Sequence, residues 1–159
     1  MDCIDGRHDH EITAVVADTV PVGDLADFFG RAFVEVAQTL RDQGIAITGP
    51  AFACYRSTAG DLVTVEAGFP VRLPVTPTGD VRPSELPATR AAFAEHHGPY
   101  EELPSAYQQM QSWMAARGLA PGEAMWEQYL GDPAGDGLTT VTRVVWPVEE
   151  APDRHLHPA

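Results

Sequence analysis

The chain has 159 residues, with ten arginines and no lysine set against 23 acidic residues, for a net charge of -13 and a pI near 4.6. Its length suits one domain with a real hydrophobic core. Its charge repels phosphate backbones and anionic headgroups, so neither nucleic acid nor a membrane surface is an expected partner. An apolar share of 44% argues against disorder, and no apolar run approaches the roughly 20 residues of a membrane helix. With no signal-peptide pattern in the acidic N-terminus, a cytoplasmic protein is expected.

Residues 1–12 are polar and aperiodic and read as a flexible N-terminal tail. His8 and His10, like His155 and His157, are two apart but have no fixed third ligand, so no metal is expected. Cys3 and Cys54 form no disulfide framework, and Cys54 reads as a small core residue. Thr13 to Val20 is β-rich, and Val22-Gly23-Asp24 turns into a helix with Asp24 as its cap. Leu25, Phe28, Phe29, Ala32, Phe33, Val36 and Leu40 recur at helical spacing until Gly44. Ala51 to Tyr55 and Leu62 to Val71 then read as a hairpin around Ser57 to Asp61, with a break at Gly68-Phe69-Pro70.

The order repeats. Glu85 to His96 reads as one strand, and Leu103, Ala106, Tyr107, Met110, Trp113 and Met114 form a helical stripe closed by Gly118. Glu123 to Leu130 and Leu138 to Val148 flank a breaker-rich turn, 131–137, and residues 150–159 read as a C-terminal tail. An offset of 74 superposes Ala32 on Ala106, Phe33 on Tyr107, Val36 on Met110, Leu40 on Met114, Gly44 on Gly118, Phe52 on Trp126 and Tyr55 on Tyr129. Three extra residues in the second turn bring Phe69-Pro70-Val71 onto Trp146-Pro147-Val148. The expected fold is α+β: two β-α-β-β repeats, about 13–80 and 81–149, related by a pseudo-two-fold axis. Antiparallel sheets would carry helices on one face and leave a ligand cleft between the repeats.

The site should lie where the halves differ. Trp126-Glu127-Gln128-Tyr129 aligns with Phe52-Ala53-Cys54-Tyr55, so one half has a carboxylate where the other has a methyl group. Strand alternation puts Met125, Glu127 and Tyr129 on one face and Trp126 on the other. A carboxylate among aromatic rings in a low-dielectric cleft is poorly solvated, and a cationic aromatic ligand would supply its partner. Tyr55, Tyr100, Tyr107, Trp113 and Tyr129 are candidate walls, Phe69 and Met125 adaptable packing, and Glu66 a second acid that a bulge at Gly68 could re-aim. His96-His97 before Gly98-Pro99 reads as a strand terminus with a catalytic base as the other possibility. No dinucleotide, Walker, nucleophile-elbow or zinc-protease motif occurs, so no cofactor is expected.

The set Glu66-Ala67-Gly68-Phe69-Pro70-Val71, His97-Gly98-Pro99-Tyr100-Glu101 with Leu103, Ala106-Tyr107, Trp113, and Trp126-Glu127-x-Tyr129 with Asp132-Pro133 resembles the gyrase-inhibitor-like (GyrI-like) family. That family supplies the effector-binding domain of AraC-type and MerR-type regulators. The resemblance spans about Thr13 to Val148 and implies a duplicated fold with a ligand cleft. It also implies that Glu127 meets cationic lipophilic compounds. The residues flanking it leave no room for a helix-turn-helix, so a stand-alone effector domain is expected. Some relatives of this kind hydrolyse strained cyclopropane-containing genotoxins with a pocket carboxylate. The expected function is therefore capture of aromatic, often cationic small molecules. The alternative is a cofactor-independent hydrolase in which Glu127 and Tyr55 are catalytic, and the protein partner, if any, is unknown.

Overall fold

The computed structural model describes residues 2–98, 102–130 and 141–151. Tyr100, the turn predicted at 131–137 and residues 152–159 of the predicted tail lie outside them. In chain order the elements are β1 Cys3–His8, β2 Glu11–Pro21, a 3-10 turn Val22–Asp24, α1 Leu25–Gln43, β3 Phe52–Ala59, β4 Leu62–Pro70, β5 Val81–Leu86, β6 Thr89–His97, α2 Leu103–Ala116, β7 Leu119–Pro121, β8 Met125–Tyr129 and β9 Val141–Glu150.

Both helices follow the predicted stripes. Ala32, Val36 and Leu40 of α1 and their counterparts Ala106, Met110 and Met114 of α2 are fully buried against the sheet. Burying side chains the size of Val36 or Leu40 contributes about 1.5–3 kcal/mol each. Gly44 ends α1 at φ 68, and Gly118 follows α2 at φ 70, a left-handed turn that a Cβ would strain. Asp24 does stand at the N-terminal cap position of α1, but its side chain makes no capping bond.

The strands join in one antiparallel sheet in the order β1-β6-β9-β8-β3-β4-β2-β5, with β7 added beside β9. Exchanging β1 with β5, β2 with β6, β3 with β8 and β4 with β9 reverses this list, so a pseudo-two-fold axis runs between β3 and β8. Details obey the same axis: the bond Thr48 N–H to Pro70 O is matched by Gly122 N–H to Pro147 O, at 3.0 and 2.7 Å. The predicted repeats therefore exist, as two halves of one continuous sheet rather than as separate sheets.

Three expectations need correction. Residues 3–8 are not a loose tail: they form β1, which pairs with β6 from Cys3 opposite Ala94 to His8 opposite Thr89. The single strand predicted over Glu85 to His96 is two strands broken at Pro87-Ala88, because β5 pairs with β2 of the first half while β6 pairs with β9 of the second. Each half thus lends its first strand to the other. Gly68 makes no bulge either. It sits in regular register opposite Val15, and the irregularity lies in β3 between Tyr55 and Ser57.

Central strands with both faces covered are buried on both faces. The helix-bearing face holds two clusters, one under each helix. The other face is a third cluster of strand residues alone, including Phe52, Cys54, Leu86, Val145 and the fully buried Trp126. Cys54 is the predicted core thiol, its pKa pushed up to about 12 by burial.

His8 caps this third cluster where the two exchanged connections meet, its ring edge-on to Trp126 at 4.8 Å. Its Nδ1 faces the Pro87 carbonyl at 2.8 Å and its Nε2 the Glu11 carboxylate at 2.9 Å. Both partners are acceptors, so the imidazolium satisfies both. Burial opposes that charge, but the bonds to Glu11 and Pro87 outweigh it and hold the pKa above the ordinary 6.5. His8 therefore adds stability that is complete below about pH 6.5 and lost as pH rises through its folded value. A His8→Leu protein, which copies the matching Leu86, should lose that share of the pH dependence. Urea midpoints at pH 6 and pH 9 test this, and an unchanged native-to-variant difference across the two would exclude the charged form.

Candidate functional site

β3 and β8 are neighbours at the centre of the sheet, paired Phe52 to Gln128, Ala53 to Glu127, Cys54 to Trp126 and Tyr55 to Met125. Ala53 and Glu127 are counterparts in the repeat and also partners in the ladder, so the pseudo-two-fold passes between them. Full symmetry would set two carboxylates face to face, and their repulsion would force one to stay protonated. This chain keeps one acid and gives the facing position a methyl group. The row across the sheet through Glu127 reads Val16, Ala67, Ala53, Glu127, Val144, Ala94, Cys3. Small apolar residues thus make a low floor with one carboxylate at its middle.

Tyr55 and Tyr129 are two-fold mates, and both reach over this floor from opposite ends. The Tyr129 phenol donates to Glu127 Oε1 at 2.8 Å and the Tyr55 phenol to the same oxygen at 3.3 Å. The second carboxylate oxygen, Oε2, is buried without any partner, and Glu127 as a whole is only 2% exposed. Burial raises its pKa to about 7, while the two phenol bonds pull the other way without prevailing. The phenols themselves are driven upward, first by burial and then by the adjacent carboxylate, so they remain donors. At neutral pH the site balances between carboxylic acid and carboxylate.

Aromatic rings flank this centre in matching pairs. Phe33 of α1 meets Phe69 edge-on at 5.9 Å, and its counterpart Tyr107 of α2 meets Trp146 at 6.1 Å. Phe33 also packs edge-on against Tyr129 at 6.2 Å, so a ring of the first helix meets the phenol that bonds the carboxylate. Met125 lies beside Tyr55 in the ladder and packs under α2. Met125, Glu127 and Tyr129 therefore share the helix-bearing face, as alternation predicts; Tyr55 and Phe69 lie on it too, and Tyr107 meets it from α2.

Two other candidates do not join them. Glu66 pairs with Cys54 and so lies on the opposite face, where it takes hydrogen bonds from Arg56 at 3.2 and 3.3 Å and from Ser84 at 2.8 Å. It is the acid of a salt bridge, and the regular register at Gly68 removes the bulge that was to turn it inward. Trp113 packs beside Cys3 at the edge strand, with the Arg117 guanidinium 4.3 Å from its ring centre. Cys3 is three strand spacings, roughly 14 Å, from Glu127. Trp113 therefore stands at the edge end of its helical stripe rather than at the axis. Tyr100 lies outside the described residues.

Phe33 is absent from the predicted walls, although its two-fold equivalence to Tyr107 marks it as one. His96, which the sequence offers as a strand terminus or a base, lies at this face beside Thr142, which no sequence signal marked: they pair with each other, Thr142 pairs with Tyr129, and both are buried. The tail histidines diverge, His8 turning inward and His10 bonding Glu85 at 2.8 Å. Among the described residues no three His, Cys, Asp or Glu side chains converge as metal ligands, and no helix is long and apolar enough to cross a membrane.

A duplicated antiparallel sheet with a lone carboxylate on its axis, roofed by rings from two helices, defines a domain of the small-molecule-binding class. The family model described as a GyrI-like small molecule binding domain matches residues 14–149, and the chain belongs to that family. No curated protein matches it. Among solved structures it resembles the EcmrR C-terminal domain, with a TM-score of 0.82 at 19% identity over 94% of this chain and 98% of that one. EcmrR in its DNA complex gives 0.83 at 20% identity over 94% of this chain, which spans 58% of that longer protein. SAV2435, solved bound to tetraphenylphosphonium, gives 0.67 at 10% identity over 99% and 98% of the two chains. At these identities the likeness is one of fold.

Proposed function

We propose that the domain captures aromatic, lipophilic cations between its two helices, with Glu127 as the counter-charge. The observation that carries this is Glu127 Oε2, buried and unpartnered under aromatic side chains. An ionised carboxylate in that position lacks the solvation it has in water, and a cation returns it. Tyr129, Phe33 and Phe69 on one side and Tyr55 and Tyr107 with Met125 on the other offer ring faces and a pliable thioether to the ligand's apolar body. The phosphonium bound to SAV2435 supports the choice of ligand class.

Because the cation selects the ionised acid, affinity for tetraphenylphosphonium should rise about tenfold per pH unit below about 7 and level off above it. Glu127→Gln should weaken binding by roughly 1–3 kcal/mol at pH 8 and flatten the profile. Calorimetric titration at pH 6, 7 and 8 decides the matter: equal affinity for both proteins at pH 8 would remove Glu127 as the receptor.

One observation favours a hydrolase as second reading: a carboxyl poised near pH 7 beside two phenols suits proton transfer. In that case Glu127 activates water and Tyr55 steadies the carboxylate. Mass spectrometry of a strained cyclopropane electrophile incubated with the protein should then reveal turnover that Glu127→Gln abolishes. Absence of turnover in the native protein excludes this reading.

A further inference from the structure

We propose that Thr142, with His96 beside it, forms a hydrogen-bonding subsite next to Glu127, so that the preferred ligands are aromatic cations bearing a hydroxyl group on one ring. This rests on the reading of Glu127 as the cation's partner and adds a second point of recognition to it.

The two-fold exposes the subsite. The register equates Tyr55, Val65 and Asp18 in the first half with Tyr129, Thr142 and His96 in the second. In the first half the row across the sheet beside the axis is a tyrosine, a fully buried valine and an exposed aspartate. In the second half it is a tyrosine, a threonine that is 0% exposed and a histidine that is 8% exposed. Valine and threonine have nearly the same shape, and the first half shows that valine fills this position. The second half instead buries a hydroxyl, and Thr142 Oγ1 has no hydrogen-bond partner. A buried unpaired hydroxyl costs stability that valine would not.

Two unpartnered buried oxygens therefore lie on the same face, Glu127 Oε2 and Thr142 Oγ1. Thr142 stands directly opposite Tyr129 and diagonal to Glu127, a separation of about 7–8 Å between such positions. That is the scale of one aromatic ring, so a cation seated at Glu127 can direct a ring substituent to Thr142. The threonine can donate to a ligand oxygen or accept from a ligand hydroxyl. A ligand without such a group leaves it unsatisfied, and the site discriminates on that ground.

The test uses tetraphenylphosphonium and its three mono-hydroxyphenyl isomers, titrated by calorimetry at pH 8 into the native chain and the Thr142→Val, Thr142→Ser and Glu127→Gln proteins. The native chain should prefer at least one hydroxylated isomer over the parent cation by about five- to tenfold. Thr142→Val should bring that ratio to within about twofold of unity, and Thr142→Ser should keep most of it. Glu127→Gln should weaken parent and isomers together. No preference in the native chain, a preference that survives Thr142→Val, or a uniform weakening of all four cations by Thr142→Val would each overturn the subsite. A Thr142-dependent preference whose affinities Glu127→Gln leaves intact supports the subsite and refutes the charge reading alone. Failure of the native chain to bind any of the four overturns both.

Discussion

Glu127→Gln should be more stable than the native protein by roughly 3 kcal/mol at pH 8, with little difference near pH 4. Burial lifts the folded pKa of Glu127 from 4.5 to about 7, so between those values the folded state holds a proton that the unfolded chain has released. Native stability from this group is therefore complete below about pH 4.5 and falls as pH rises through about 7. Glutamine has no proton to lose, and its profile should be flat by comparison. For a chain of this length the difference corresponds to a gain of about 6–12 °C in Tm. Denaturant unfolding across pH 4 to 8 tests it, and parallel profiles for the two proteins would mean that Glu127 is solvated in the folded state. The same strain is what a bound cation would relieve, so a phosphonium should raise the native Tm more at pH 8 than at pH 6.

The second large effect concerns the sheet that carries the site. A Cβ on Gly68 would fall inside the carbonyl oxygen of Ala14 and only 2.9 Å from Val15 Cα, all of it backbone of β2. Backbone within a ladder cannot swing aside, so β2 must part from β4. Gly68→Ala should cost about 3 kcal/mol or more, against an opposite result for Gly30→Ala. Gly30 lies within α1 and a Cβ there meets nothing within 4 Å, so alanine should stabilise by about 0.5–1 kcal/mol. Thermal unfolding of both variants gives the comparison. A Gly68→Ala protein as stable as the native chain would show that β2 and β4 approach less closely than described.

Much of the site was legible before the fold was known. The 74-residue offset set Glu127 against Ala53, and period-two alternation put Met125, Glu127 and Tyr129 on one face with Trp126 behind them. Both inferences rest on local periodicities, which a strand or helix must obey wherever it packs. Errors arose where the outcome depended on pairing. Glu66 alternates correctly with its neighbours, but whether that face looks toward the helices or away is decided by β3 and β2, not by β4. Trp113 belongs to a real helical stripe, yet the stripe spans the sheet out to β1, a strand that its polar composition hid.

The sequence by itself determined the two amphipathic helices with their glycine stops, the duplicated order of elements, and the asymmetry that sets Glu127 against Ala53. Each is a property of residues close along the chain, where spacing and side-chain chemistry suffice. Only the tertiary structure decided that β1 and β5 change places between the halves, that one sheet runs through both, and that the axis passes between Ala53 and Glu127. Those outcomes depend on contacts between residues 65 to 91 positions apart, where hydrogen bonds of equal local quality compete and packing of the whole sheet selects among them. The carboxylate was visible as a residue type, but its burial, its two phenol donors and its unpartnered oxygen exist only once both halves close upon it.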